Sequence, residues 1–440
     1  MESPPARAVR YAPLALALLV LGGLAAAHPG LRFVDFLSFS NRARRLMEGQ
    51  DLVNGLYPVG YPALLLGARL ALGDVLVAGK ALSVLAGALA AHSASRLAGP
   101  GAAAVMAATG VFLAWGSTEG TDMMAAALAL SALASAERPA LAGALVGAAC
   151  LARYTGVAAL PALLLITPRR GVALLAFGLA TAPHWAVAWW LHLPILPDQS
   201  GNMAIGAGPG GPASGVGGWA AAAARAAADS FGAWIPGVGL LGLAVGAARR
   251  QRPAAGLLAL ALTHVAGLGL AFSNPRLALP ATLAAALGWR WLLPERRAPW
   301  LALGLIGALA QVPGQARIEP DEAALAEVAR VAAPEPVLTS SPLYHQRLGG
   351  WLQSGVILRS LGGDPRRMDP TSLASAAKRR GFRAVAIESA RVSATFPGLR
   401  PLTHDPAPEG YTLLAEVGSW RIFQFDHASV APSSSPPRGL

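Results

Sequence analysis

Charge is scarce in this chain. Of its 440 residues only 13% are charged and 54% are hydrophobic, with a mean hydropathy of +0.48. A soluble protein of this length needs a far larger charged surface, so the composition calls for a bilayer as solvent. Cysteine is almost missing. Cys150 stands alone inside an apolar run, which excludes an intrachain disulfide and a cysteine metal site. Lysine is nearly absent as well: Lys80 and Lys378 are the only two, and arginine supplies the remaining basic side chains. No glycine-rich phosphate cradle between a strand and a helix occurs, nor a Walker motif or nucleophile elbow. An ATP-driven transporter is therefore unsupported. The net charge of +12 does not argue for nucleic acid, because the basic residues sit in short clusters between apolar runs, as topology signals do.

What is present is a succession of apolar runs. They lie near 11–27, 75–97, 100–116, 119–136, 139–153, 155–167, 171–193, 234–249, 254–272, 276–293 and 299–313. The first could pass for a secretory leader ending at Ala25-Ala26-Ala27, but the further runs favour an uncleaved anchor. Eleven spans with a cytoplasmic N-terminus place Arg96, Arg138, Arg169, Arg170, Arg249, Arg250, Arg252, Arg296 and Arg297 on the inner side, as the positive-inside rule requires. The loop 28–60 breaks the rule with Arg32, Arg42, Arg44 and Arg45, which suit anionic lipid headgroups or a phosphate. Within it, Asp35 to Gly49 reads as a surface helix with Phe36, Phe39 and Leu46 toward lipid. The short run 61–73 reads as interfacial or re-entrant.

The expected organisation is a multi-pass membrane domain over 1–313, with a first outer loop at 28–60 and a flexible outer loop at 194–233, whose glycine run spans Gly206 to Gly218. Beyond 313 the pattern changes. Residues 321–332 form an amphipathic helix, and β-type runs follow at Val337–Ser341, Ala384–Glu388, Leu413–Val417 and Arg421–Phe425. A small extracytoplasmic α/β domain over 314–427 results, followed by a disordered Ser/Pro tail over 428–440. The fold class is an all-α polytopic bundle of about eleven spans with a small C-terminal α/β domain.

Ionisable residues at membrane depth each call for a reason. Asp35, a few residues beyond the first span, suits a general base at the outer interface; as an alternative it caps the surface helix. Glu119 and Asp122 lie between two spans on that same outer face, as a second acidic site or as parts of a capping box with Ser117 or Thr118. Lys80, Arg153 and Arg276 are the outer-face cations able to neutralise a departing phosphate, or else snorkelling anchors. Tyr57 and Tyr61 flank a helix-breaking Pro-Val-Gly turn, Pro58 to Gly60, that either lines a substrate entry or simply bends at the interface. His92, His184 and His264 lack metal-ligand spacing and read as polar packing residues within spans.

Taken together, Val34-Asp35-Phe36, Gly55 to Pro62, Glu119 to Asp122 and Leu151-Ala152-Arg153-Tyr154-Thr155 make a layout that resembles the GT-C glycosyltransferase superfamily. The branches most alike are protein O-mannosyltransferases and the lipid A aminoarabinose transferases. The resemblance implies an inverting glycosyltransferase that moves a sugar from a polyprenyl-phosphate carrier to a lipid, glycan or protein acceptor at the outer face. It implies Asp35 as the catalytic base, Asp122 as a further acid, arginines on the phosphate, and no metal or cofactor. The rival classes are a lipid or sugar-lipid transporter, which calls for internally repeated halves, and a non-catalytic scaffold of the same fold. Abundant alanine and arginine with little lysine suggest a GC-rich bacterium, hence the inner (plasma) membrane. Membrane lipids are expected partners and nucleic acid is not.

Overall fold

The computed structural model describes residues 4–28, 32, 36–48, 58–192, 216–269, 276–293, 306–307, 310, 312, 327, 330–331, 337–340, 349–351, 368–379, 381–389, 392 and 396–426. Asp35 and Tyr57 lie outside these, as do 193–215 and the tail from 427. The chain forms two compact units, one of residues 1–29 and 35–317, the other of 30–34 and 318–440.

The first unit is helical. Its elements are α1 (Pro4–Ala27), α2 (Phe36–Met47), α3 (Gly60–Leu72), α4 (Val75–Ala98), α5 (Pro100–Ala107), α6 (Gly110–Ser117), α7 (Asp122–Ala134) and α8 (Pro139–Ala152). A 3₁₀ turn (Tyr154–Ala158) leads to α9 (Ala159–Ile166), α10 (Arg170–Trp190), α11 (Val216–Phe231), α12 (Trp234–Ala248), α13 (Arg252–Gly269), α14 (Leu279–Ala286) and α15 (Trp289–Leu292). Sequence punctuation sets several boundaries. Asp74 caps α4 by accepting from the Leu76 and Val77 amides, both at 2.8 Å. Pro100 and Pro139 stand in the first turns of α5 and α8, where a missing N–H costs nothing.

Small residues let these helices approach closely, as bilayer packing favours. A Cβ on Gly143 of α8 would come 2.1 Å from the Ala173 carbonyl oxygen of α10, and one on Gly147 would come 2.6 Å from Ala180 Cβ. Leu21 of α1 fills the room left at Gly87 of α4 and Gly116 of α6. The core that results is dominated by alanine and leucine contributed by α1, α4, α7, α8, α9, α13 and α14.

Two of the described helices, α4 and α10, are long and apolar enough to cross a membrane alone; α5–α6, bent by 75°, and α11–α12, bent by 104°, would add one span each. Further apolar helical stretches of 10–17 residues, among them Tyr11–Ala27 of α1 and Asp122–Ala134, are shorter. Length and composition of the described helices thus give two to four clear spans, fewer than eleven. Two further expectations change. Residues 216–231 are helical although 194–233 reads as a loop, because a run of alanines, the best helix former, outweighs the preceding glycines. The surface helix forms as α2, but Phe36 and Phe39 are 0% and 2% exposed. Their side chains pack on protein, Phe36 in the space left by Gly79 and Phe39 edge-on to Tyr61 with ring centroids 5.4 Å apart.

The second unit holds a five-stranded sheet in the order β2-β1-β3-β5-β4, from β1 (Val337–Thr339), β2 (Gly349–Trp351), β3 (Ala384–Glu388), β4 (Tyr411–Val417) and β5 (Trp420–Phe425). The β2, β1 and β3 strands run parallel, and β5 pairs antiparallel with β3 and β4. Alternation divides the sheet's side chains between two faces. Leu338, Val385, Ile387 and Phe423 pack with Leu373 and Ala377 of helix α16 (Pro370–Arg379), while Val337, Ala384, Ala386, Trp420 and Ile422 form the other cluster. Gly381, at φ +76°, ends α16 in a left-handed turn whose Gly381 and Phe382 amides bond back to Lys378 and Ala377, both at 3.1 Å.

Candidate functional site

The loop 118–122 joins α6 to α7, and α2, α3, α4 and the end of α8 gather round it. Glu119 is 0% exposed and Asp122 4%. A carboxylate in so apolar a unit is costly unless it is paired. Asp122 is the first residue of α7, where the helix dipole favours negative charge, and its Oδ1 lies 3.0 Å from Arg153 Nη1. The same nitrogen donates to Thr121 Oγ1 at 2.8 Å. Arg153 follows the last turn of α8 in extended backbone, so its guanidinium ties the start of α7 to the end of α8.

These contacts bear on the capping reading of the loop. The capping box does not form. The Ser117 hydroxyl bonds back to the Leu113 carbonyl at 2.8 Å, and Thr121, the N-cap of α7, makes no side-chain cap hydrogen bond. Nor does Arg153 snorkel, since it pairs inward. Lys80 is also buried, and its Nζ donates to the His28 carbonyl. Its neighbour Gly79 is the point at which α4 meets Glu119: a Cβ there would come 3.1 Å from Glu119 Cβ and 2.4 Å from the Phe36 ring.

Tyr61 enters from α3. Its helix begins at Gly60, whose missing side chain lets the backbone sit against Leu151 of α8. The Tyr61 side chain is 0% exposed. Its hydroxyl approaches the Gly120 backbone with Glu119 and Asp122 in electrostatic reach. Arg276 begins the turn before α14. The next residue, Leu277, accepts a hydrogen bond from His264 Nε2 at 2.6 Å, and His264 in turn lies within the electrostatic reach of Arg153.

The structure thus gathers Tyr61, Glu119, Asp122 and Arg153 round the loop 118–122 and sets Lys80 beside Gly79, while Arg276 begins the turn before α14. Asp35 and Tyr57 lie outside the described residues. Among the described residues no group of three His, Cys, Asp or Glu side chains could hold a metal ion.

Two neighbours were read from sequence only as part of a motif or a loop, Tyr154 within Leu151 to Thr155 and Arg42 among the arginines of 28–60. Tyr154 donates to or accepts from His184 Nε2 at 3.2 Å and stacks on Trp185 with centroids 5.9 Å apart. Arg42, 4% exposed, lies within electrostatic reach of both Tyr154 and His184, and its Nη1 is 3.5 Å from the Pro58 carbonyl. Arg42 falls three residues after the buried Phe39, at the spacing of one helix face, and His184 follows a helix-interior proline. Those were the available signals.

No protein-family model matches this sequence, and neither does the sequence of any curated protein. Solved structures do match. ArnT from Cupriavidus metallidurans bound to undecaprenyl phosphate superposes with a TM-score of 0.63 at 14% identity, covering 98% of this chain and 100% of that one. The apo state of ArnT from the same organism gives 0.59 at 14% identity over 94% and 97%. The archaeal oligosaccharyltransferase AglB from Archaeoglobus fulgidus, in complex with an inhibitory peptide and a dolichol-phosphate, gives 0.50 at 12% identity over 98% and 76%. The fold they share with this chain is the GT-C fold.

Proposed function

We propose that the protein is an inverting glycosyltransferase that takes a sugar from a polyprenyl-phosphate carrier and passes it to an acceptor at the outer face of a bacterial inner membrane. The observation that carries this reading is the buried Asp122–Arg153 pair at the N-terminus of α7, in an apolar unit with the fold of ArnT, whose structure holds undecaprenyl phosphate. A cation held at such depth by a carboxylate is pre-aimed for an anionic headgroup and loses little by not reorganising during reaction.

In this reading Asp35 takes the proton from an acceptor hydroxyl or amine as that atom attacks the anomeric carbon. The bond from that carbon to the phosphate oxygen breaks, and polyprenyl phosphate leaves with the electron pair. Arg153, Arg276 and Lys80 neutralise the charge that develops on it. Glu119 and Asp122 face the sugar or acceptor, and the turn bearing Tyr57 and Tyr61 borders the entry. The in-line displacement inverts the anomeric centre.

The test supplies purified protein in detergent with a panel of polyprenyl-phosphate pentoses and hexoses and a membrane extract as acceptor. Acceptor-dependent release of polyprenyl phosphate, with a product of inverted anomeric configuration, is expected. Retention of configuration, or hydrolysis independent of acceptor, would contradict the proposal.

A further inference from the structure

α10 turns most of its surface away from the rest of its unit. Leu175, Leu179, Trp189 and Trp190 are exposed, and its buried side chains are Ala173, Thr181, His184 and Ala188. The Thr181 hydroxyl bonds within its own helix, to the Phe177 carbonyl at 3.0 Å. His184, 4% exposed, reaches across to another element instead. Its Nε2 lies 3.2 Å from the Tyr154 hydroxyl, and the next residue, Trp185, stacks on the Tyr154 ring. The His184 Nδ1 is buried with no hydrogen-bond partner among the described residues. Neutral imidazole has one donor and one acceptor nitrogen, so Nδ1 stays unmatched whichever nitrogen carries the proton. A stranded buried group costs about 1–3 kcal/mol, whereas the bond to Tyr154 contributes about 1 kcal/mol net. The pair therefore adds nothing to stability, and a polar side chain on such a helix calls for another reason.

Tyr154 supplies that reason, because it directly follows Arg153. The Arg153 backbone is extended and joins α8 to the 3₁₀ turn. Its amide bonds back to the Ala149 carbonyl at 2.9 Å, and its carbonyl accepts from the Gly156 amide at 2.8 Å. Gly156 sits so close to α8 that a Cβ would come 2.4 Å from the Ala149 carbonyl. At the far end of the turn, the Thr263 hydroxyl of α13 shares its proton between the Ala158 carbonyl and the Ala259 carbonyl of its own helix, each at 2.7 Å. The turn is thus held by α8 and α13, and the Tyr154–His184 bond adds α10 at the residue beside Arg153. We propose that Tyr154 and His184 are positioning residues: their bond fixes the start of the turn, so that the Arg153 guanidinium, 3.0 Å from Asp122 Oδ1, is aimed at the donor's phosphate. This rests on the proposed function, in which Arg153 meets that phosphate. Tyr154 and His184 act through Arg153 and not on the lipid.

The test titrates bare polyprenyl phosphate into wild type and into Tyr154→Phe/His184→Leu in detergent, beside melting curves without lipid. Phenylalanine keeps a ring on Trp185, and removing both polar partners together leaves neither stranded. The double variant should unfold no earlier than wild type, yet bind the lipid about three- to tenfold more weakly. Asp122→Asn/Arg153→Gln removes the guanidinium and keeps Lys80 and Arg276 for the phosphate. Adding Tyr154→Phe/His184→Leu to that background should change the affinity no further. Equal affinity of wild type and Tyr154→Phe/His184→Leu overturns the proposal. The same loss in the background without Arg153 overturns it as well, since the pair would then act by another route. Earlier unfolding of the lipid-free double variant also overturns it, since the bond would then be a packing contact. If wild type itself binds no polyprenyl phosphate, the transfer reading fails and the positioning role with it. If wild type binds and the double variant matches it, the positioning role alone fails.

Discussion

Arg153 and Asp122 show what one residue is asked to do in an apolar surrounding. The Asp122 side chain is 3% exposed and that of Arg153 18%, so each is the condition for burying the other. Replacing Arg153 with Ala strands a buried carboxylate and should cost on the order of 3 kcal/mol. Adding Asp122→Asn removes the stranded charge and should recover most of that loss. Thermal unfolding of the two single variants and the double variant measures the coupling, and strictly additive effects would contradict the pairing. Each residue was legible as a candidate because ionisable residues stand out against alanine and leucine, but their pairing was not. The burial of Arg42 was not legible, because α2 is turned inward by the space at Gly79, a tertiary fact that a single helix's periodicity does not contain.

Among the elements, α8 and α10 make the clearest wager on small residues. Gly143 faces the Ala173 carbonyl with no room for a Cβ, whereas Gly178, in the middle of α10, has nothing within 4 Å. Gly143→Ala should therefore force the helices apart and lower stability by about 1–3 kcal/mol. Gly178→Ala should leave stability unchanged or raise it by about 0.5–1 kcal/mol through helix propensity alone. Melting of both variants in detergent distinguishes them, and equal shifts would mean that the packing is not as described. Helix ends were legible where Pro, Asp or Gly sets them, as at Asp74, Pro139 and Gly381. The strands at 384–388 and 421–425 were legible from their β-type runs. The three-residue β2, Gly349–Trp351, was not: two of its residues are glycine, and only pairing with β1 makes it a strand. The helix at 216–231 was hidden by the glycine run before it.

The molecule as a whole carries a topology that sequence proposes and that helix lengths alone do not deliver. Hydropathy windows see eleven runs, but several of the corresponding helices are too short or too bent to be read as spans by length. The arginine clusters supply the orientation argument instead. Cys150 is buried, so a Cys150→Ala background permits site-directed labelling. A cysteine at Arg249 should react with a membrane-impermeant maleimide only after the inner face is opened, and one at Glu409 should react in intact spheroplasts. The reverse pattern would invert the proposed topology.

The central claim is that a chain with the GT-C fold uses Asp35 to move a sugar from a lipid phosphate. Its most direct test is transfer from the responsive polyprenyl-phosphate sugar by wild type beside Asp35→Asn, with melting curves showing both proteins folded. The account predicts a loss of at least about a hundredfold in the variant, the scale of a removed general base. Equal transfer by both proteins would contradict it and move the base to Glu119 or Asp122.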